Sequence, residues 1–171
     1  VTAEISRVQN HDMTIPVVIN GHEHKTHECE NGTDPGDNGK EWYMYCVADK
    51  SMINNAVDVS KNGLNSWAQK SVAERKTIMF KVAEVMQAQR ARTIAVMSRD
   101  AGKSVSESDP EVSEATDFAR YYASHGVENT DSNAMGVVLV VPPWNFPYAI
   151  PMGGVCAALA AGNTVILKPA P

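Results

Sequence analysis

Residues 136–171, GVVLVVPPWNFPYAIPMGGVCAALAAGNTVILKPAP, constrain the fold more than any other stretch of the chain. Val137–Val141 is a near-continuous β-branched run, the pattern of a central parallel strand covered on both faces. It runs into Pro142-Pro143-Trp144-Asn145-Phe146-Pro147, whose prolines fix φ and push the residues before Pro143 and Pro147 to extended geometry. A small-residue helix, a glycine stop at Gly162 and a second strand follow, which is the first half of an open α/β nucleotide-binding sheet. A stiff turn at the carboxyl end of a parallel strand sits where such sheets bind ligands, and it would hold the Asn145 amide with little reorganisation. On spacing alone Asn145 is a turn former, Lys168 a surface lysine and Trp144 a core residue. No Gly-x-Gly-x-x-Gly follows the strand, so nothing supports the glycine-loop way of holding a pyrophosphate.

Upstream, residues 1–13 are polar without a sustained period and read as a linker or expression boundary. Thr14–Asn20 is a β-rich segment ending in the hairpin signal Asn20-Gly21, with Pro16 confining it to a strand start or a sheet edge. His22, His24, His27 and Cys29 carry metal-ligand side chains, but their spacing matches no closed zinc pattern, so an exposed polar hairpin and loop is the better reading. Glu41–Ala48 alternates as a strand, a pairing partner for Thr14–Asn20.

Three helices are expected next. Asp49–Trp67 places Ile53, Ala56, Val57, Ser60, Leu64 and Trp67 on one face. A capping box at Ser71-x-x-Glu74 starts the second, whose face is Ile78, Val82, Val85 and Met86, with Ile94 and Met97 after a bend and a stop at Gly102. The third starts at Asp109-Pro110, turns Val112, Ala115, Phe118, Ala119 and Tyr122 inward and ends at Gly126; Glu111, Glu114 and Asp117 read there as ordinary partners of the helix dipole. Residues 126–135 are a short polar loop.

A chain of 171 residues with 43% hydrophobic and 20% charged residues can bury a core. A net charge of −5 argues against nucleic acid or an anionic membrane as partner and for a small molecule. Three cysteines, Cys29, Cys46 and Cys156, form no regular framework, which points to reduced thiols in the cytoplasm; no apolar run is long enough for a membrane span. The start at Val1 suggests a piece of a longer chain.

Pro143-Trp144-Asn145-Phe146-Pro147, the helix ending Ala160-Ala161-Gly162-Asn163-Thr164, and Val165-Ile166-Leu167-Lys168-Pro169 together closely resemble the aldehyde dehydrogenase superfamily. Val18-Ile19-Asn20-Gly21 and Ala101-Gly102-Lys103 agree with it. Glu114-Ala115 with Asp117-Phe118-Ala119-Arg120-Tyr121-Tyr122-Ala123 looks most like the glutamate-semialdehyde (pyrroline-5-carboxylate) dehydrogenase branch, including the dehydrogenase module of bifunctional proline utilisation A flavoenzymes. The resemblance implies an α/β fold in which N-terminal helices and an edge hairpin lead into the first strands of an open, mostly parallel Rossmann-like sheet. Residues 14–171 would be the N-terminal part of an NAD(P)-binding domain.

The chemistry implied is oxidation of L-glutamate γ-semialdehyde to glutamate through a cysteine thiohemiacetal, with NAD or NADP as oxidant. By the same resemblance Asn145 is the side-chain oxyanion donor, Pro143, Trp144 and Lys168 bind the cofactor, Lys168 through the ribose hydroxyls, and Glu114 and Phe118 belong to the substrate pocket. No metal is implied. A fused or associated proline dehydrogenase and an oligomer are the expected partners. Pro171 stands where many family members have a ribose-binding glutamate, and the stretch between Tyr122 and Val137 is shorter than the usual oligomerisation flap. Cys156 lies inside a helix as a small apolar residue, so the nucleophile and the general-base glutamate are expected downstream and the 171 residues alone to be inactive. A non-catalytic dinucleotide-binding or scaffolding module of the same fold, and a dehydrogenase for another aldehyde, remain open alternatives.

Overall fold

The computed structural model describes residues 2–9, 13–125 and 133–170. Helices α1 (Thr2–Gln9), α2 (Lys50–Ala68), α3 (Val72–Ala88), α4 (Arg90–Asp100), α5 (Val105–His125) and α6 (Ala149–Ala160) alternate with strands β1 (Met13–Ile15), β2 (Val17–Ile19), β3 (His22–His24), β4 (Cys29–Asp34), β5 (Lys40–Cys46), β6 (Val137–Val140) and β7 (Thr164–Leu167). The expected loop at residues 126–135, the helix stop at Gly126 and the departure at Pro171 lie wholly or partly outside the described residues.

The N-terminal stretch, read from sequence as a linker, contains α1, and Arg99 of α4 donates to the Val8 carbonyl at 3.2 Å. Pro16 divides the expected Thr14–Asn20 strand. β1 before it joins β5 in parallel, while β2 after it turns back on β3 through Asn20 and Gly21, both at positive φ (53° and 76°) as a tight hairpin requires. The segment expected as plain loop after the histidines supplies β4, which pairs antiparallel with β5. Gly32 makes that pairing feasible, since a Cβ there would lie 1.9 Å from the Tyr43 ring. The hairpin is fastened to α4 by the buried Asp34–Arg99 ion pair (2.8 Å) and by the Tyr43 hydroxyl donating to Asp100 (2.8 Å).

Asp49 caps α2 by accepting from the Met52 amide, and the capping box of α3 forms as read, with Ser71 and Glu74 each accepting from the other's backbone N–H. The buried face of α3 is Met79, Ala83 and Met86 instead of the line through Val85, which is 60% exposed. Apolar residues occupy so many positions between Ile78 and Met86 that periodicity does not choose a face. Packing chooses it: the two long methionines fill the space left by Ala115, Ala119, Ala149 and Cys156 of α5 and α6. Gln89 breaks the α3–α4 run, Ile94 and Met97 are buried as expected, and Gly102 stops α4 at φ 64°.

Helix α5 begins earlier than the Asp109-Pro110 signal indicates. Ser104 and Glu107 form a cap, the Ser104 amide donating to Glu107 at 2.8 Å, so Pro110 falls inside the helix as its sixth residue, where its missing N–H forgoes the one backbone bond to the Ser106 carbonyl. This shift takes Glu111 out of the first turn.

Strands β6 and β7 pair in parallel, Val137 opposite Thr164 through Val140 opposite Leu167. Helix α6 can lie close because Gly154 faces Val140 and Gly153 faces Phe118 of α5; added Cβ atoms would sit 3.0 and 3.1 Å from them. The reading of β6 as covered on both faces holds incompletely among the described residues, since Leu139 is 61% exposed. Gly162, at φ 87°, ends α6, and the buried Asn163 accepts from the Gly136 amide (2.9 Å) while donating to the Ala158 carbonyl (3.2 Å). Asn163 therefore ties the entrance of β6 to the exit of α6. No described helix is long and apolar enough to cross a membrane.

Candidate active site

Because β6 and β7 are parallel, the segments leaving them emerge at the same edge. The Pro142–Pro147 turn leaves β6 there, and Lys168 leaves β7 there, its amide donating to the Val140 carbonyl at 3.0 Å. Pro143, Trp144, Asn145 and Lys168 are all exposed at this edge, Trp144 by 67%. The structure thus brings together the residues assigned to the oxyanion and cofactor roles, with their side chains accessible.

What grips the turn is a pair that sequence reasoning missed. Glu111 is buried in α5 at 3% exposure, and its Oε1 accepts from the amides of Tyr148 (2.9 Å) and Ala149 (3.1 Å), the first N–H groups of α6. Tyr148 has no capping side chain of its own, so a carboxylate from a neighbouring helix serves instead, where the helix dipole favours negative charge. The other Glu111 oxygen accepts from Lys103, whose Nζ also lies 4.2 Å from the centre of the Phe146 ring. Asn145 therefore sits between a strand on one side and, on the other, Phe146 and Tyr148 held through Lys103 and Glu111. The available signal was the Ser104-x-x-Glu107 cap: had it set the start of α5, Glu111 would have fallen on the face shared with Ala115 and Ala119.

Glu114 and Phe118 line a separate open groove of about 790 Å³ along α5, with Asp109, Asp117, Tyr121 and Tyr122 among its walls. Glu114 is exposed; Phe118 is half-buried, stacked on Tyr122 at 6.1 Å between ring centres and packed against Gly153. The structure does not place these two residues in one cavity with Asn145. The groove's upper end is fixed by Arg90, which bonds the Asp109 carboxylate (2.6 Å), its carbonyl (2.7 Å) and the Ser113 hydroxyl (2.9 Å). The Arg90 hydrogen bond holds the Asp109 carboxyl below the usual range.

Cys156 is 1% exposed in α6, and burial pushes its thiol up to about 11. Such a thiol stays protonated at neutral pH and is a packing residue, not a nucleophile. Among the described residues no group of three or more His, Cys, Asp or Glu could hold a metal ion.

The residues at the sheet edge fit a nicotinamide dinucleotide in one respect that the structure itself provides. An exposed lysine and an exposed indole stand at the carboxyl ends of two parallel strands, where open α/β sheets take such ligands, and among the described residues no bond engages the Lys168 ammonium.

Comparison with known proteins agrees with this geometry. Residues 22–171 match the model of the aldehyde dehydrogenase family. The bifunctional protein PutA of Escherichia coli K12 is 39% identical over 121 residues, covering 69% of this chain and 9% of that protein. The 1-pyrroline-5-carboxylate dehydrogenase of Staphylococcus saprophyticus is 30% identical over 171 residues, covering 91% of this chain and 33% of its own length. The structure of a 1-pyrroline-5-carboxylate dehydrogenase from Thermus with bound NAD superposes with a TM-score of 0.92 at 26% identity, covering 99% of this chain and 36% of that one. The chain thus spans about a third of the length of the pyrroline-carboxylate dehydrogenases it matches. By sequence match and by fold, this chain belongs to the aldehyde dehydrogenase family.

Proposed function

We propose that this chain supplies the oxyanion turn and part of the cofactor crevice to an NAD(P)-dependent aldehyde dehydrogenase acting on L-glutamate γ-semialdehyde in proline breakdown. The observation that carries the reading is the common edge of β6 and β7, where the braced Asn145 turn and Lys168 emerge together. When a cysteine sulfur adds to the aldehyde carbon, the carbonyl oxygen takes up negative charge. The Asn145 amide N–H donates to that oxygen as the charge develops, and the prolines and the Glu111 brace keep it aimed so that little reorganisation opposes the step. Bound NAD(P) would supply the two-electron oxidant. Lys168 would hold the cofactor by donating to its ribose hydroxyls, with Pro143 and Trp144 as the adjoining binding residues.

The sulfur nucleophile and the general base are provided by residues other than Cys156 and Glu111, both of which are sequestered. Glu114 and Phe118 act from α5 on the approach to the substrate pocket. The reading extends to a cytoplasmic enzyme, oligomeric, with a proline dehydrogenase fused or associated, a partner motivated by the similarity to bifunctional PutA.

The test is reduced-cofactor formation by the complete protein carrying this chain. Glutamate γ-semialdehyde is expected to be oxidised with a kcat/KM well above that for propanal or hexanal. Equal rates would shift the reading to a general aldehyde dehydrogenase, and no turnover of any aldehyde with either nicotinamide cofactor would favour a non-catalytic module of the same fold.

A further inference from the structure

We propose that Cys29 and Cys46 form a dithiol modification site, one that takes two-electron oxidants of the hydroperoxide class and closes to an intrachain disulfide. The inference stands apart from the proposed function and rests on strand register. Cys29 of β4 lies opposite Cys46 of β5 at the open end of their hairpin. The bond flanking them runs from the Val47 amide to the Glu28 carbonyl at 2.9 Å, which makes Cys29 and Cys46 a non-hydrogen-bonded cross-strand pair. In such pairs the Cα atoms lie about 4.5 Å apart and the side chains approach most closely, inside the roughly 4.4–6.8 Å window that a disulfide spans. The two Sγ atoms are 3.7 Å apart already. A small rotation of each side chain closes that gap without moving either strand.

Access and activation are divided between the two cysteines. Cys29 is exposed, so solutes reach the pair, whereas Cys46 is 8% exposed and is shielded from larger thiols such as glutathione. The backbone at Thr26 holds the Cys46 thiol below its ordinary range, with Cys29 and the Lys25 charge acting in the same direction. Cys29 is held above its ordinary range, chiefly by its hydrogen bond to Cys46. Cys46 therefore ionises first, and the Cys29 S–H has two acceptors in reach, the Cys46 sulfur (3.7 Å) and the Thr26 carbonyl (3.4 Å).

The reaction balances without a further reagent. The Cys46 thiolate attacks one oxygen of hydrogen peroxide, an S–O bond forms, the O–O bond breaks, and the leaving hydroxide takes up a proton to become water. Cys29 sulfur then attacks Cys46 sulfur, the S–S bond forms, the S–O bond breaks, and a second water leaves with the Cys29 proton. Two thiols have lost two electrons and two protons, and the peroxide has been reduced to water. The product is a clip across the open end of a hairpin whose turn end is already fastened by Asp34 and Arg99. Cys156 offers the internal contrast, being buried and protonated.

The experiment treats the reduced, folded protein carrying this chain with hydrogen peroxide, unfolds it in an alkylating reagent and maps the peptides. The expected result is a peptide pair joined through Cys29 and Cys46, lighter by two hydrogens, restored by dithiothreitol, with Cys156 alkylated before and after. In Cys29→Ser the sulfenic acid on Cys46 has no resolving thiol and is expected to be captured by dimedone. A second measurement needs no variant: phenylarsine oxide, whose arsenic bridges two adjacent thiols, is expected to protect both cysteines from alkylation together. Disulfides linking Cys29 of two molecules, oxidation of Cys29 with Cys46 still alkylatable, or protection of one cysteine alone by the arsenical would each overturn the proposal.

Discussion

Replacing Glu111 by alanine removes, in one step, the acceptor of the Tyr148 and Ala149 amides and the counter-charge of Lys103. The side chains of Glu111 and Lys103 are 1% and 15% exposed, so water recovers little of the loss on the Glu111 side and more at Lys103. Breaking a buried pair by removing one partner costs about 3–5 kcal/mol, and we take that range for Glu111→Ala, partial hydration of Lys103 offsetting the additional unpaired amides. Glu111→Gln keeps a carbonyl oxygen for the two amides but turns its NH2, a donor, toward the Lys103 ammonium and leaves that charge without an acceptor, so a loss of about 2–3 kcal/mol is expected. Urea unfolding of the protein carrying this chain, followed by tryptophan fluorescence and circular dichroism, reads both values from the midpoint at constant slope. Lys103→Met combined with Glu111→Gln should cost less than the sum of the single changes, by at least about 0.5 kcal/mol, because the partners touch. A Glu111→Ala loss below about 1 kcal/mol, the size of an ordinary surface change, would refute the view that this carboxylate anchors the turn.

Other expectations follow from the same contacts. Glu74 and Glu107 are held below the usual carboxylate range by the Ser71 and Ser104 side chains that they cap, and Asp109 by Arg90. Their folded-state pKa values lie below the unfolded ones, so their stabilisation is complete above about pH 5 and is lost as pH falls through the depressed values. Glu74→Gln with Glu107→Gln should flatten the acid limb of a stability–pH curve, and an unchanged limb would remove the caps as its cause. Gly32→Ala places a Cβ 1.9 Å from the Tyr43 ring, and a loss of about 1–3 kcal/mol with a corresponding fall in Tm is expected; an unchanged Tm would mean that the strands part freely there.

The C-terminal half-unit was the most legible part of the chain, because its signals agree across levels. β-branched strands, prolines, glycines at positive φ and a small-residue helix all specify one local path. The capping box at Ser71 was legible for the same reason, since both its hydrogen bonds are local. The buried face of α3 was not, because it is decided by where α5 and α6 present alanines, a fact about tertiary packing. Glu111 was hidden by a competition between two start signals: Asp109-Pro110 is a valid helix opening, and the Ser104–Glu107 cap overrode it. β4 escaped because its residues have poor strand propensity; cross-strand contacts with Tyr43 and Tyr45 and the Asp34–Arg99 pair make it a strand. Asn145 and Lys168 fall on one edge by the strand–helix–strand pattern, whereas the roles proposed for them rest on resemblance alone.

The role proposed for Asn145 is to stabilise developing charge on the substrate oxygen. The most direct measurement is steady-state kinetics of Asn145→Ala in the complete protein, with nicotinamide cofactor affinity measured separately by fluorescence titration. With an oxyanion donor removed, kcat is expected to fall by about 10²- to 10³-fold while the cofactor Kd changes little. A fall of less than about threefold with the variant folded, against the size expected for loss of an oxyanion donor, would contradict it.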